Sequence, residues 1–131
     1  MIDIHCHFLP GIDDGAKDMD EALALIKLAV KDGVTRIVLT PHLHLGRFDN
    51  TLSVIQPAFS ALKTEVNREN IAVELAYAAE VRLDSEILTL LTNKQLPLYG
   101  NYSGQQFMLL EFPHSHIPAG SEMLVKFLIL E

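Results

Sequence analysis

Ile2-Asp3-Ile4-His5-Cys6-His7-Phe8-Leu9-Pro10-Gly11-Ile12-Asp13-Asp14-Gly15 is the stretch whose reading decides the fold. Its apolar, β-branched start reads as a strand, and residues i and i+2 of a strand point to one face. His5 and His7 can therefore offer two imidazoles to one ion, with Cys6 turned the other way. The strand runs into a glycine-bounded turn that carries Asp13 and Asp14. A strand that delivers such residues at its carboxyl end is the pattern of parallel α/β proteins, where function gathers at that end of the sheet.

Working outward, Ile2–Cys6 is the first of four apolar, β-rich runs; the others are Thr35–Thr40, Ile71–Ala79 and Phe107–Glu111. Helical patterns separate them. From Asp18 to Lys31, the residues Ala22, Leu23, Ile26, Ala29 and Val30 form one stripe, with acidic residues near its start and Gly33 just past its end. Val54 to Val66 repeats the pattern, Asp84 to Leu91 is shorter, and a last helix begins near Gly120-Ser121. Strands alternating with helices predict an α/β fold of βαβ units with parallel strands.

Each predicted strand ends on a residue able to bind metal: His5 and His7, then His42, Glu80 and Glu111. The steps from His5 are 37, 38 and 31 residues, each about one βα unit. Such recurrence predicts one shared metal site. Asp14 reads equally as a ligand or as ordinary turn chemistry. His42 follows its strand directly, so it is preferred to His44. Glu80 ends an apolar run, and a carboxylate there needs a partner; a metal is favoured over Arg82. Glu111 repeats the argument. His114 and His116 sit between prolines past a strand end and read as loop wall or substrate contact. Cys6 reads as core.

Composition narrows the class. The 131 residues suffice for one domain, and 49% are hydrophobic, with mean hydropathy +0.22. No run approaches the roughly 18 apolar residues of a membrane span, and Asp3, His5 and His7 fall where the apolar core of a leader would lie. A single cysteine excludes an internal disulfide and fits a reducing compartment. A net charge of −7 without a basic cluster argues against nucleic acid and anionic membranes as partners. The expected location is the cytoplasm. No Cys-x5-Arg loop, Walker A loop or nucleophile elbow is present.

Asp3-Ile4-His5-Cys6-His7, Gly11-Ile12-Asp13-Asp14-Gly15, Thr40-Pro41-His42, Ala79-Glu80-Val81-Arg82 and Leu110-Glu111-Phe112-Pro113 resemble, in order and interval, the polymerase-and-histidinol-phosphatase (PHP) superfamily. The wording Leu9-Pro10-Gly11-Ile12-Asp13-Asp14-Gly15 is similar to its bacterial capsule-type protein tyrosine phosphatases. The resemblance implies a metal-dependent phosphatase on a distorted seven-stranded β/α barrel. It would act on the phosphotyrosine tail of a bacterial tyrosine autokinase that controls capsular or extracellular polysaccharide synthesis. It further implies up to three divalent ions, often manganese. Carried over by position, His5 and His7 would bind a first ion with Glu80, Glu80 would bridge to a second shared with Glu111, and Asp14 and His42 would hold a third. Arg82 would contact the substrate phosphate.

Barrels of this kind run to about 250 residues. The superfamily's later His-Pro-Glu-Arg and Asp-x-His motifs are absent from residues 1–131. The sequence therefore predicts the N-terminal portion of one barrel domain, about its first four βα units. Each ion would lack at least one protein ligand, and open strand edges would favour self-association and weaken activity. Two other readings stay open: a small-molecule phosphoesterase such as a histidinol-phosphate phosphatase, and a fragment without catalysis.

Overall fold

Helix α1 (Met19–Lys31) begins where Asp18 leaves the extended backbone and its carboxylate accepts the Glu21 amide at 2.9 Å. The cap satisfies one of the donors that a helix start leaves open. Ala22, Leu23 and Ile26, the stripe predicted from spacing, are buried. The computed structural model describes residues 1–130, and the side chains of residues 1–129.

Strand β1 (Ile2–Cys6) precedes α1, and β2 (Arg36–Leu39) and β3 (His42–Leu43) follow it. Then come α2 (Leu52–Arg68), β4 (Glu74–Tyr77), β5 (Glu80–Arg82), α3 (Ile87–Thr92), β6 (Tyr99–Tyr102), β7 (Gln105–Phe107), β8 (Leu109–Glu111) and α4 (Ser121–Leu130). Two three-stranded parallel sheets, β1-β2-β4 and β3-β5-β8, carry the fold, and β6 and β7 form an antiparallel hairpin. The α/β class and the parallel pairing agree with the sequence reading.

Two of the four predicted runs form shorter strands, with pairing resuming in a second sheet just beyond each, and a third is divided. The run at 35–40 forms a strand only over Arg36–Leu39, and pairing resumes at His42 in the second sheet. Pro41 has no N–H to give to a ladder, and the buried Thr40 turns its amide to the Cys6 carbonyl at 2.9 Å. The run at 71–79 breaks next to this point. Ala78 N reaches Leu39 O at 2.9 Å, and Glu80 N reaches Pro41 O at 3.0 Å. The run at 107–111 is divided between β7 and β8. The hairpin was not predicted; its turn holds Ser103 at φ 53° and Gly104 at φ 80°, the backbone that right-handed strand twist requires of a two-residue loop.

The core lies between the sheets and α1 and α2, with Leu9, Ile26, Ile37, Leu39, Leu43, Ile55, Leu62, Val81 and Ile87 almost wholly buried. Leu9 and Ala16 bring the loop after β1 back into this core, where Ala16 N donates to His7 O at 3.0 Å. Other apolar residues stay exposed: Ile2 and Ile4 on β1, and Met123, Phe127 and Ile129 on α4. Among the described residues, no helix is long and apolar enough to cross a membrane.

Candidate metal centre

Thr40 fixes the end of β1. Its hydroxyl accepts the Cys6 amide at 3.1 Å and donates to the Cys6 carbonyl at 3.2 Å. With that peptide held, His5 and His7 project to one side, and Cys6 turns into the core with Sγ 3.7 Å from Val38 O. Burial first, and then the Asp3 charge, pushes the Cys6 thiol up to about 12. It stays protonated near neutral pH and is no nucleophile.

Strand register assembles the rest. The parallel pairing of β3 with β5 sets His42 opposite Glu80, and that of β5 with β8 sets Arg82 opposite Glu111. Glu80 is the hub. Its Oε2 lies 3.1 Å from His5 Nε2, 3.2 Å from His7 Nε2 and 3.4 Å from His42 Nδ1. Glu111 Oε2 is 3.6 Å from His42 Nδ1, and Asp14 Oδ1 is 3.4 Å from His42 Nε2.

Three groups of donor atoms result, each with its atoms within 4.8 Å of one another: His5, His7 and Glu80; His7, Asp14 and His42; His42, Glu80 and Glu111. All six predicted metal residues are thus brought together. The groups share more than the resemblance implied, because His7 and His42 each belong to two. A neutral imidazole has one free lone pair, so neither ring can serve both of its groups at once. Carboxylate and imidazole donors without thiolate suit manganese-like or zinc-like divalent ions. Three protein donors leave coordination positions open for water or substrate.

Arg82 Nη1 lies 3.3 Å from Glu111 Oε1, and no ion pair joins it to Glu80 among the described residues. His44 is half-buried, bridged through its backbone to Phe48, and in none of the groups. His114 and His116 are exposed and likewise outside them.

Two polar residues that support the site were not singled out from sequence. The Asp13 side chain, 0% exposed, sets Oδ2 2.9 Å from His7 Nδ1 and accepts the His42 amide at 3.0 Å on Oδ2 and the Gly15 amide at 2.9 Å on Oδ1. Burial alone would raise its pKa, but the hydrogen bonds from His7, Gly15 and His42 outweigh it and hold the carboxyl below its usual range. The same bond to Asp13 is the main cause raising His7, against the opposing effect of burial. Buried Asn50 donates from Nδ2 to both Ile12 O and His42 O at 2.8 Å. Phe48 stacks on the His42 ring at 5.8 Å. The acidic doublet before Gly15 was a visible signal for Asp13; nothing local marked Asn50.

Known proteins share the sequence and the fold. Tyrosine-protein phosphatase YwqE of Bacillus subtilis is 33% identical over 124 residues, spanning 95% of this chain and 48% of YwqE. The putative tyrosine-protein phosphatase CapC of Staphylococcus aureus is 32% identical, over 90% of this chain and 45% of CapC. Tyrosine-protein phosphatase CpsB of Streptococcus agalactiae is 36% identical, over 86% and 45%. The chain thus spans about half the length of these relatives. A crystal structure from work on YwqE and on CpsB of Streptococcus pneumoniae, described as metal-dependent tyrosine phosphatases, superposes with TM-score 0.86 at 33% identity, covering 99% of this chain and 51% of that one. The family model for capsular polysaccharide synthesis proteins CpsB/CapC matches residues 1–120, and the chain belongs to that family.

Proposed function

We propose that residues 1–131 form the N-terminal portion of a single, distorted β/α barrel of the PHP type, and that its chemistry is metal-dependent hydrolysis of phosphotyrosine. The observation that carries this reading is Glu80, one carboxylate oxygen set within 3.4 Å of three imidazoles. Proteins named as tyrosine phosphatases lie on the same scaffold. His5, His7, Asp14, His42, Glu80 and Glu111 would hold a divalent cluster, manganese in our reading. Such a cluster supplies charge for the phosphoryl oxygens and a water acidic enough to attack near neutral pH.

The chain's own residues supply orientation. β1 aims His5 and His7, the β3-β5-β8 register sets Glu80 and Glu111 beside His42, and Arg82 stands next to Glu111 where its guanidinium can meet a phosphate oxygen. The substrate class is the phosphotyrosine tail of a bacterial tyrosine kinase governing capsule or exopolysaccharide synthesis, and the compartment is the cytoplasm.

The test is manganese loading followed by removal of excess ion and elemental analysis, with hydrolysis of a phosphotyrosyl peptide and of histidinol phosphate measured side by side. Two or more retained ions and faster turnover of the peptide, abolished by chelator, are expected. Faster turnover of histidinol phosphate would favour a small-molecule phosphoesterase. Near-zero metal and no hydrolysis would leave a non-catalytic fragment.

Exposed Ile2 and Ile4 on β1 and the apolar face of α4 support self-association. Light scattering is expected to give a mass above the 14.6 kDa of one chain. A monodisperse monomer would reject this.

A further inference from the structure

We infer that Asp13 is a positioning residue that locks His7 in the Nδ1–H tautomer and ties the two ligand loops together. The inference rests on the metal-centre reading above. Both oxygens of this fully buried carboxylate are occupied: Oδ1 by the Gly15 amide, Oδ2 by the His42 amide and His7 Nδ1. Asp13 belongs to none of the three donor groups, so it serves the site at one remove.

The proton assignment follows from donor and acceptor counting. An ionised carboxylate only accepts, and Oδ2 already accepts a backbone N–H. Glu80 Oε2 accepts as well, but it lies farther from the ring, at 3.2 Å from Nε2, and is shared with His5 and His42. The shorter contact to the fully buried Asp13 therefore takes the single proton of the neutral ring on Nδ1 and leaves Nε2 free for an ion. In the opposite tautomer Nε2 would carry hydrogen and present no lone pair to an ion. The second contact works on the backbone. By accepting the His42 amide, Asp13 fixes the loop after β1 to the first residue of β3, so His7 and His42 hold one spacing, with rings 4.5 Å apart.

Asp13→Asn isolates this role because it keeps the shape and changes one acceptor into a donor. Either way round, the amide nitrogen meets an N–H: Gly15 on one side, or His7 and His42 on the other. Turning it toward His7 forces the ring into the Nε2–H tautomer. The measurement is long-range proton–nitrogen NMR of the imidazoles in metal-free protein at a pH where the rings are neutral, with His7 identified through His7→Gln. It is paired with titration by manganese alone. Wild type is expected to show Nδ1–H at His7, and Asp13→Asn to shift toward Nε2–H with manganese affinity reduced about 10- to 100-fold. Asp14→Asn is expected to weaken binding and leave the His7 tautomer unchanged.

An Nε2–H tautomer in wild type would overturn the inference. So would a tautomer unmoved in Asp13→Asn, or one that moves with affinity intact. If Asp13→Asn does not fold, the wild-type spectrum decides alone. If wild type binds no manganese, the phosphatase reading falls, and the tautomer still tests the lock.

Discussion

Replacing Glu80 with Gln is expected to reduce manganese affinity and phosphotyrosyl hydrolysis by more than 100-fold while the protein stays folded. The size follows from position. An outer-shell partner of a metal ligand typically contributes about 10- to 100-fold, and Glu80 is a direct donor in two of the three groups. Gln keeps the volume and removes the charge, so the three imidazoles lose the anion that draws a cation among them. The fold does not depend on that charge. Glu80 pairs through its backbone with His42 on one side and Leu109 on the other, and its side chain faces a cluster that also holds Glu111 and Asp14. The melting temperature of metal-free protein is expected to hold or rise as carboxylate repulsion is relieved. Isothermal titration with manganese and a thermal melt provide both readouts. Affinity within ten-fold of wild type would show that the cluster is not centred on Glu80.

The second large effect is expected from a single methyl group. At Gly15, a Cβ would collide with the His7 carbonyl oxygen and lie 2.6 Å from His7 Cβ. Both sit in a turn already closed by Ala16 N on His7 O and by Gly15 N on Asp13. The obstacle is backbone, which cannot swing aside as a flexible side chain can. Overpacking of this kind costs on the order of 3 kcal/mol, or roughly 10 °C in Tm for a domain of this size. Gly15→Ala is therefore expected to lower the melting temperature and to reduce manganese binding together, because the strained atoms belong to a ligand residue. Gly46→Ala is a useful contrast: its backbone is left-handed, yet nothing lies within 4 Å of the added Cβ. It should lose some stability and keep its metal. Equal metal loss in both would show that general unfolding, and not displacement of His7, is responsible.

These residues also mark how far the sequence could be read. His5 and His7 were legible because period two is a local property of strands, and α1 because its apolar stripe and acidic cap are local too. His42, Glu80 and Glu111 were legible through recurrence at βα intervals. Pro41 was visible as a break in one strand. That a second run, around Ala78-Ala79, would break beside it depended on hydrogen bonds to Leu39 and Pro41 across the sheet, which no local pattern records. Asp13 and Asp14 are chemically identical neighbours, and only the folded turn makes one a buried acceptor and leaves the other 57% exposed. The sharing of His7 and His42 between groups was likewise invisible, because ring placement is a tertiary fact.

The breaks at Thr40-Pro41 and Ala78-Ala79 divide each long strand into a stem and a tip. The stems β2 and β4 are four residues each and share one sheet with β1, whereas the tips β3 and β5, with β8 beside them, are two or three residues long. Sheets this short have little cooperative stability of their own. The tips therefore occupy the low end of the protein's range of local opening energies, with the stems at the high end. An ion bound by His42, Glu80 and Glu111 would close that gap, acting on the tips as a rivet acts on loose plates. Part of its binding energy would appear as order in the second sheet, while the scaffold beneath stays as it was.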